Sequence, residues 1–398
     1  MTAGDPQLTF PPVTPCPYEP APVFARLRPD CPVAKVALPT GDMAWLATRY
    51  ADNRAVLADP RFSRAAAARP GAPRARAIPL ETRSMMTMDP PDHTRLRRLV
   101  ARAFTSRRVA AMRPAIQSTV DILMDRMVAA GPPADLISGL AQPLPLAVIC
   151  ELLGVPEHER DRFGDWSSAY LSTTGRPAEQ IEAAGASLRA YLASLVAGKR
   201  RDPGADLLSG LVSARDSDQL DDAEMITLGV TLLVAGYETV VSHLAGFMVA
   251  LLRHPDQLAQ LRHRPELITA AVEELLRYTP VAATGGTIRV ALSDVELGGQ
   301  LVRAGEAVLP ALTSANRDPA AFDQPDRLDL TRSPNPHLAF GHGIHRCLGA
   351  ELARVQLRSA LAALAARLPG LCLAVPVDEL DWDAGRMLRC PRTLPVNW

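Results

Sequence analysis

One short run near the C-terminal end of the chain combines residue types that can do chemistry. In FGHGIHRCLG, residues 340–349, an aromatic side chain, three glycines and two histidines surround one cysteine, and an amphipathic helical pattern follows. A cysteine at the N-terminal end of a helix lies in the positive end of the helix dipole, which lowers its pKa. Gly341, Gly343 and Gly349 let the backbone approach the sulfur closely. The pattern predicts that Cys347 is a stabilised thiolate.

Several kinds of site could use such a thiolate. A nucleophilic cysteine needs a histidine and an asparagine or aspartate as its base, which the sequence does not exclude. A zinc ion needs three more ligands, and only His342 and His345 are local. A haem iron needs no other protein ligand, and Phe340 could then cover the proximal face of the ring. A buried structural cysteine is the plainest alternative, but it does not account for the whole constellation.

The other five cysteines show no CxxC pair and no spacing typical of zinc sites, so we expect small packed thiols. They are Cys16, Cys31, Cys150, Cys372 and Cys390. The chain of 398 residues has 43 basic and 43 acidic side chains, so its net charge is zero and no nucleic-acid partner is indicated. No apolar run reaches the roughly 18 residues of a membrane span, and no signal peptide is evident. We therefore expect a cytoplasmic protein without a membrane partner.

The patterns along the chain predict a mainly α protein with small β-sheets. Helical periodicity dominates from Asp92 to about Arg277. The longest helix should begin at Asp221, where Glu224 completes a capping box, and end near Arg253. Short strands are predicted in three stretches, and two other segments read as an extended N-terminal arm and a surface loop. The strand stretches are residues 36–50, 294–312 and 387–398, the arm is residues 1–22, and the loop is residues 64–80.

The run around Cys347 resembles the haem-binding signature of the cytochrome P-450 superfamily in its soluble bacterial form. The resemblance covers essentially the whole chain, because further motifs occur in the expected order. It implies haem b with Cys347 as the axial thiolate, and it adds Phe340, Gly341 and Gly349 to the haem contacts. It also implies one triangular, mainly helical catalytic domain over residues 23–398, with a long central helix above the haem.

A second motif, LLVAGYETVVSHL at residues 232–244, resembles that central helix. The Thr239 hydroxyl can bond the Ala235 carbonyl one turn back and loosen the helix there. Such loosening would open a groove in the helix. The resemblance implies that dioxygen binds in this groove, with Thr239 as hydrogen-bond donor and Glu238 linked to the proton supply. It also brings Ala235 and Gly236 close to the haem. The alternative is a buried helix with an incidental polar pair.

A third motif, VEELLRYTP, resembles the structural Glu–Arg pair of the superfamily. Glu274 and Arg277 share a helix face at i and i+3, so their side chains can bond. The resemblance assigns Arg327 as a third, charge-sharing arginine. These residues are expected to hold the haem-binding core together rather than to catalyse.

A fourth motif, MDPPDHTRLRRLV at residues 88–100, places His93 and Arg97 one helical turn apart, where both can face one anion. Arginine binds carboxylates through charge-assisted and often bidentate hydrogen bonds. The resemblance implies that His93 and Arg97 bind the haem propionates together with Arg289 and His345. The alternative is a solvated helix face, since three more arginines lie close by: Arg95, Arg98 and Arg102.

Substrate contacts are expected from small or soft side chains, which would form a roomy apolar pocket. By resemblance they are Met86, Ala235, Val281, Ala282, Ala283, Thr284 and Met387. Each of them could equally be part of the core.

Three functions are compatible with the sequence. The first is a monooxygenase that inserts one atom of O2 into a secondary-metabolite-like substrate, with electrons from NAD(P)H through a ferredoxin and its reductase. The second is oxidative coupling at the same haem, in which two radicals join, as in aryl or phenol coupling of an aromatic polyketide or cyclic dipeptide. The third is a haem-thiolate gas or ligand sensor. The pair of Glu238 and Thr239 argues against a sensor, which needs no proton relay, but it does not separate the first two functions. We favour hydroxylation by a monomeric monooxygenase, because insertion is the commoner use of such a site.

Overall fold

The computed structural model describes residues 8–75, 80–170, 177–215, 220–282, 285–382 and 388–398. The helices of this part of the chain are α1 (Val23–Asp30), α2 (Tyr50–Ala58), α3 (Arg64–Ala67), α4 (Asp92–Ala101), α5 (Ser106–Ala130), α6 (Pro143–Leu153), α7 (Arg160–Tyr170), α8 (Ala178–Arg201), α9 (Leu207–Arg215), α10 (Asp222–Arg253), α11 (Pro255–His263), α12 (Ile268–Tyr278), α13 (Leu312–Ala315) and α14 (Ala350–Arg367). The strands are β1 (Val33–Ala37), β2 (Met43–Ala47), β3 (Phe62–Ser63), β4 (Ala134–Asp135), β5 (Arg289–Ala291), β6 (Val295–Leu297), β7 (Gln300–Val302), β8 (Ala307–Pro310), β9 (Cys372–Leu373) and β10 (Pro395–Asn397). This is the predicted mainly helical fold with small sheets.

The chain divides into two compact units: Met1–Asp92 with Glu273–Cys347, and His93–Val272 with Leu348–Trp398. We call them the sheet unit and the helical unit. The prediction of an arm at residues 1–22 followed by one domain stays a prediction. Within the described part of that arm, Leu8 and Phe10 pack against the core of the sheet unit, and Thr9 pairs with Ala37.

The sheet unit is built on a five-stranded sheet in the order β1-β2-β8-β5-β3. The predicted hairpin at residues 36–50 is present as the antiparallel pair of β1 and β2, and Gly41 takes a positive φ of 85° in the turn. The predicted Gly298–Gly299 hairpin is present as β6 and β7, with both glycines at positive φ. Positive φ is accessible to glycine without the steric cost that a Cβ would add.

The prediction of a surface loop over residues 64–80 is wrong at its start, where α3 forms. The Ser63 hydroxyl caps this helix by accepting the N–H of Ala66 at 2.8 Å. Ala66 and Ala67 are buried in the core of the sheet unit, so tertiary packing overrides the weak periodicity. Residues 76–79 lie outside the described residues.

The helical unit is organised around α10, which begins with the predicted capping box of Asp221 and Glu224 and ends at Arg253. This helix packs against α6, α8 and α14. It is long and apolar enough to cross a membrane by length and composition alone, but most of its apolar stretch is buried inside the protein. It is therefore the core helix of this unit.

The predicted strand pair around residues 387–398 is correct for one strand, β10, but not for its partners. Strand β10 pairs instead with β4 and β9, which come from earlier parts of the chain. The N–H of Leu394, the residue before β10, also donates to Asp135 Oδ1 of β4 at 2.7 Å. A long-range pairing of this kind leaves no local sequence pattern.

Candidate active site

The loop that carries Cys347 is shaped by glycine and by backbone hydrogen bonds. Gly341 and Gly343 have positive φ angles of 70° and 71°. A Cβ at Gly343 would lie 2.2 Å from the carbonyl oxygen of Leu57, so only glycine fits there. The Cys347 N–H donates to the Phe340 carbonyl at 2.8 Å, which closes the loop. Gly343 therefore allows a close approach to the backbone of Leu57, whereas the predicted approach of backbone to the Cys347 sulfur stays a prediction.

Cys347 itself is exposed, whereas the helix that follows starts only at Ala350, after the cap residue Gly349. The thiol thus precedes the first helical residue by three positions instead of lying in the first turn. A Cβ at Gly349 would meet only Phe104, at an ordinary 3.7 Å, so space alone does not require glycine there. The surface exposure leaves the sulfur accessible to a large ligand.

The remaining cysteines differ from Cys347 and from one another. Cys150 and Cys390 are buried, and burial raises the pKa of Cys150 to about 12, so this thiol stays protonated. Cys372 is exposed on β9, which corrects the expectation that all five are packed. Within the described residues, no three His, Cys, Asp or Glu side chains form a cluster suited to a metal ion.

In the middle of α10 the predicted hydrogen bond is present. The Thr239 hydroxyl donates to the Ala235 carbonyl at 2.6 Å. Ala235 is exposed and Gly236 and Thr239 are half-buried, although the rest of this helix is mostly covered. Glu238, next to them, is only 4% exposed. The helix thus has a short accessible stretch beside a buried carboxyl group.

Gly236 also has a packing role. A Cβ there would lie 3.3 Å from Ile149 Cδ1, a tight contact between α10 and α6. A glycine at this point therefore lets the two helices approach closely, and its cost in helix propensity is offset by that packing.

The predicted pair of Glu274 and Arg277 forms a buried, bidentate ion pair in the sheet unit. Arg277 Nε and Nη2 donate to the two carboxylate oxygens at 2.8 Å each. Arg332 Nε also donates to Glu274, at 3.1 and 3.2 Å, and Asn335 Nδ2 donates at 3.0 Å. The carboxylate is thus held by three side chains that come from two separate parts of the chain.

The assignment of Arg327 as the charge-sharing arginine is wrong, because Arg332 takes that place. The Arg327 side chain is exposed and reaches Gln324 Oε1 at 3.4 Å. Its backbone carbonyl, however, accepts hydrogen bonds from both Arg277 and Arg332. A turn at Asp329, whose N–H donates to Glu274 Oε1 at 3.0 Å, directs Arg332 inward.

The predicted anion-binding residues of α4 belong to the helical unit. His93 is buried at 2% exposure and Arg97 is half-buried, so the alternative of a fully solvated face is wrong for both. Arg95 is also engaged, since it forms an ion pair with Glu224 of the α10 capping box. Arg98 and Arg102 are exposed.

Arg289 and His345 belong to the sheet unit. His345 ends a single 3₁₀ turn, Gly343–His345, and is half-buried. Arg289, on β5, is 2% exposed, and its Nε has no hydrogen-bond partner among the described residues. Burial lowers the pKa of Arg289 to about 10, while the charge of Asp89 opposes this shift. The guanidinium is therefore charged at neutral pH and retains a donor for an anion.

Asp89 is occupied by other donors. Its carboxylate accepts the Ser63 hydroxyl and, at 3.0 Å, the N–H of Arg64. It thus supplies charge to Arg289 without closing off the free donor. A buried cation with an open N–H fits a carboxylate such as a haem propionate.

The candidate substrate contacts are only partly described. Met86 is 45% exposed beside the buried Met85. Val281 and Ala282 are half-buried, and the Ala282 carbonyl accepts the Thr313 hydroxyl at 3.2 Å. Three more candidates lie outside the described residues: Ala283, Thr284 and Met387.

Sequence patterns missed Arg64, which organises this region. Its buried side chain donates from Nε to the Met86 carbonyl at 2.9 Å and from Nη1 to the carbonyl of Ile288, the residue before Arg289. One arginine therefore holds both the segment of Met86 and the strand of Arg289. The only signal in the sequence was its position after a Phe-Ser pair that forms β3, and that signal has no specific meaning.

Comparison with known proteins places these features in a family context. The family model for cytochrome P450 matches residues 178–367. The nocardicin C N-oxygenase of Nocardia uniformis subsp. tsuyamanensis is 52% identical over 378 residues, which cover 95% of each chain. The mycinamicin IV hydroxylase/epoxidase of Micromonospora griseorubida is 47% identical over 376 residues, 94% of each chain.

A solved structure agrees with this. The LnmA cytochrome P450 hydroxylase from the leinamycin biosynthetic pathway of Streptomyces atroolivaceus S-140 matches with a TM-score of 0.92 and 50% sequence identity. The match covers 98% of this chain and 100% of that chain. Sequence and fold therefore agree over nearly the full length.

Proposed function

Since this chain belongs to the cytochrome P450 family, we propose that it hydroxylates a small organic molecule of the secondary-metabolite kind. The relatives described above are an N-oxygenase, a hydroxylase/epoxidase and a hydroxylase, and each name describes oxygenation. The family cofactor is a haem with a cysteine thiolate on its iron, and when bound it supplies the activation of dioxygen by electrons.

The residues of this chain fit that cofactor. Cys347 would be the thiolate, since its sulfur is accessible in a loop closed by its own N–H. Arg289, with its open buried donor, would bind a propionate, and His345, His93 and Arg97 would share that role. The other haem contacts proposed from the sequence are Phe340, Gly341, Gly349, Ala235 and Gly236.

One observation supports the choice of an oxygenase over a sensor: the accessible stretch of α10 around Ala235 and Thr239. There the Thr239 hydroxyl is held at 2.6 Å from the Ala235 carbonyl, next to the buried carboxyl group of Glu238. Reduction of O2 to one inserted oxygen atom and one water consumes two electrons and two protons. We infer that Thr239 holds a proton at Oγ1 for the dioxygen and that Glu238 resupplies it. A sensor would need neither group.

The electrons are proposed to come from NAD(P)H through a ferredoxin reductase and a ferredoxin. Exposed arginines at the end of α4 and just after it, Arg98 and Arg102, offer positive charge to an acidic carrier. We propose that the protein works in the cytoplasm as a monomer, where such soluble carriers are available.

The test of the relay is Thr239→Ala. Without the hydroxyl, protons reach the dioxygen less effectively, so NAD(P)H consumption should continue while product yield falls roughly tenfold or more, as for general acid catalysts. Electrons from NAD(P)H that do not lead to product should reduce O2 to hydrogen peroxide or water. Turnover driven by added peroxide should be partly restored, because that oxygen is already reduced. Unchanged product yield per NAD(P)H would refute the relay.

Oxidative coupling is separated from hydroxylation by the fate of oxygen. Turnover under isotopically labelled O2 should give a monomeric product that carries one labelled atom. An unlabelled product with the mass of two substrates less hydrogen would establish coupling instead.

A further inference from the structure

His337 begins the segment that ends at Cys347, residues 337–347, which we call the cysteine loop. Its side chain is only 3% exposed. The N–H of Ala339 donates to its Nδ1 at 3.2 Å, so this nitrogen carries no proton. Nε2 then carries the ring proton and donates it to Glu273 Oε2, at 3.1 Å. Two hydrogen bonds therefore fix a neutral ring in one tautomer.

Contacts continue from His337 to the cysteine. The His337 ring lies 5.9 Å from the Phe340 ring, measured between centroids and tilted by 49°. The Phe340 carbonyl is the acceptor for the Cys347 N–H at 2.8 Å. The His337 ring thus packs near Phe340, whose carbonyl positions the Cys347 backbone. The same ring accepts a hydrogen bond from Ala339, the residue before Phe340.

Glu273 and Glu274 are neighbours on α12, and their carboxylates bind different side chains. Glu274 holds Arg277 and Arg332, whereas Glu273 holds His337. Successive residues of a helix point about 100° apart, so the two carboxylates reach different partners. The Glu273 side chain is 23% exposed, so water can solvate it, and the hydrogen bonds from Arg277 and Arg332 described above go to Glu274.

We propose that His337 and Glu273 are positioning residues for the Cys347 thiolate, which rests on the proposed role of Cys347 as the haem ligand. Glu273 fixes the tautomer and the orientation of the imidazole. The unprotonated Nδ1 then holds the Ala339 N–H, and the ring holds Phe340. This keeps the acceptor of the Cys347 N–H in place, so that the sulfur stays where the iron can bind it.

The two ring nitrogens can be tested one at a time in the holoprotein. His337→Asn retains an acceptor at the Nδ1 position but cannot reach Glu273, and His337→Gln retains a donor at the Nε2 position but loses that acceptor. His337→Leu removes both contacts. His158→Asn, at an exposed histidine, is the matched control.

The readout is the red-shifted Soret band of the reduced CO complex, which reports the thiolate ligand, and its half-life on mild warming. Each lost hydrogen bond should shorten the half-life roughly fivefold, so His337→Leu should be the most labile and the Asn and Gln variants intermediate. Far-UV circular dichroism and the initial haem content should match the parent protein and the control. A wild-type half-life in His337→Leu would overturn the proposal.

Glu273→Gln tests whether the carboxylate acts through the histidine. It should shorten the half-life in the parent protein and have no further effect in the His337→Leu background. Equal effects in both backgrounds would overturn the coupling.

Cys347→Ala separates the ligand role of Cys347 from the positioning role of His337. If this variant kept the thiolate band, the proposed ligand itself would be wrong. If it lost the band while the His337 variants behaved like the parent protein, only the positioning role would be rejected.

Discussion

Two arginines of the sheet unit are equally buried, yet their surroundings differ. Arg277 and Arg289 are each 2% exposed. All five N–H donors of Arg277 have acceptors: the two oxygens of Glu274 and the carbonyls of Asn316, Pro325 and Arg327. Arg289 faces the charge of Asp89 but keeps an Nε with no acceptor among the described residues.

The difference indicates that a buried arginine can have either a structural role or a ligand-binding role. Removing a charge from water is costly, and the cost is offset only when each donor finds a partner. Arg277 meets that condition within the protein, so it belongs to the architecture. Arg289 does not, and an anionic ligand would complete its environment. The family cofactor, haem, carries two propionate groups that can do so.

Arg277→Met should have the largest effect on stability. It leaves Glu274 buried with fewer donors, and breaking such a pair costs about 3–5 kcal/mol of the free energy of unfolding. Little folded holoprotein should be recovered, and thermal unfolding of what remains should occur at a much lower temperature. If this variant unfolded like the parent protein, Arg277 would not be a structural residue and would not differ from Arg289 in this way.

Arg289→Met should have the opposite profile. In the haem-free protein its stability should be unchanged or raised, because an incompletely bonded buried charge is removed. Haem affinity should fall by roughly tenfold or more, the loss expected for one charge-assisted hydrogen bond. Calorimetric unfolding of the haem-free protein and haem transfer to apomyoglobin measure the two effects separately. A large loss of stability without haem would place Arg289 with Arg277 among structural residues.

The local features of the site could be predicted from sequence, because their causes are local. The capping box at Asp221, the Thr239 bond to Ala235 and the Glu274–Arg277 pair all depend on spacings of three or four residues. The glycines of the cysteine loop were also evident. The reason for Gly343, however, is the carbonyl of Leu57, almost 300 residues earlier in the chain, which no local pattern contains.

The errors came from side-chain direction and long-range packing. Arg327 and Arg332 lie in the same short segment, and only Arg332 is directed toward Glu274, by the turn at Asp329 and by nearby backbone carbonyls. Strand β10 pairs with β4, which lies far away in the chain. Arg64 reads as a loop residue because its buried acceptors, the carbonyls of Met86 and Ile288, belong to other segments. In each case tertiary contacts outweighed the local pattern.

The pair Arg332→Met and Arg327→Met tests the correction within one segment. Arg332 donates to Glu274 from a nearly buried position, so its loss should lower the free energy of unfolding by about 1–3 kcal/mol. Arg327→Met should change it by less than about 0.5 kcal/mol, since that side chain is exposed and its carbonyl bonds remain. Denaturant titration of both proteins gives the comparison. The reverse order would restore Arg327 as the partner of Glu274.

The smallest effect on stability is expected for a third class of arginine, those in solvent. Reversing the charge at Arg98 and Arg102 together should leave the unfolding free energy within about 0.5 kcal/mol, because surface substitutions away from special features change little. Their expected role is electrostatic, so reduction by ferredoxin should slow, and the difference from the parent protein should shrink as salt screens the charges. Turnover driven by peroxide should be unaffected, since it bypasses the carrier.

Charge reversal at Arg113 and Arg126, exposed on α5, is the control for net charge. If both double variants slow reduction equally, overall charge and not a docking surface at Arg98 and Arg102 is responsible. If peroxide-driven turnover falls as well, these arginines contribute to folding or haem binding, and the distinction from the buried pair disappears.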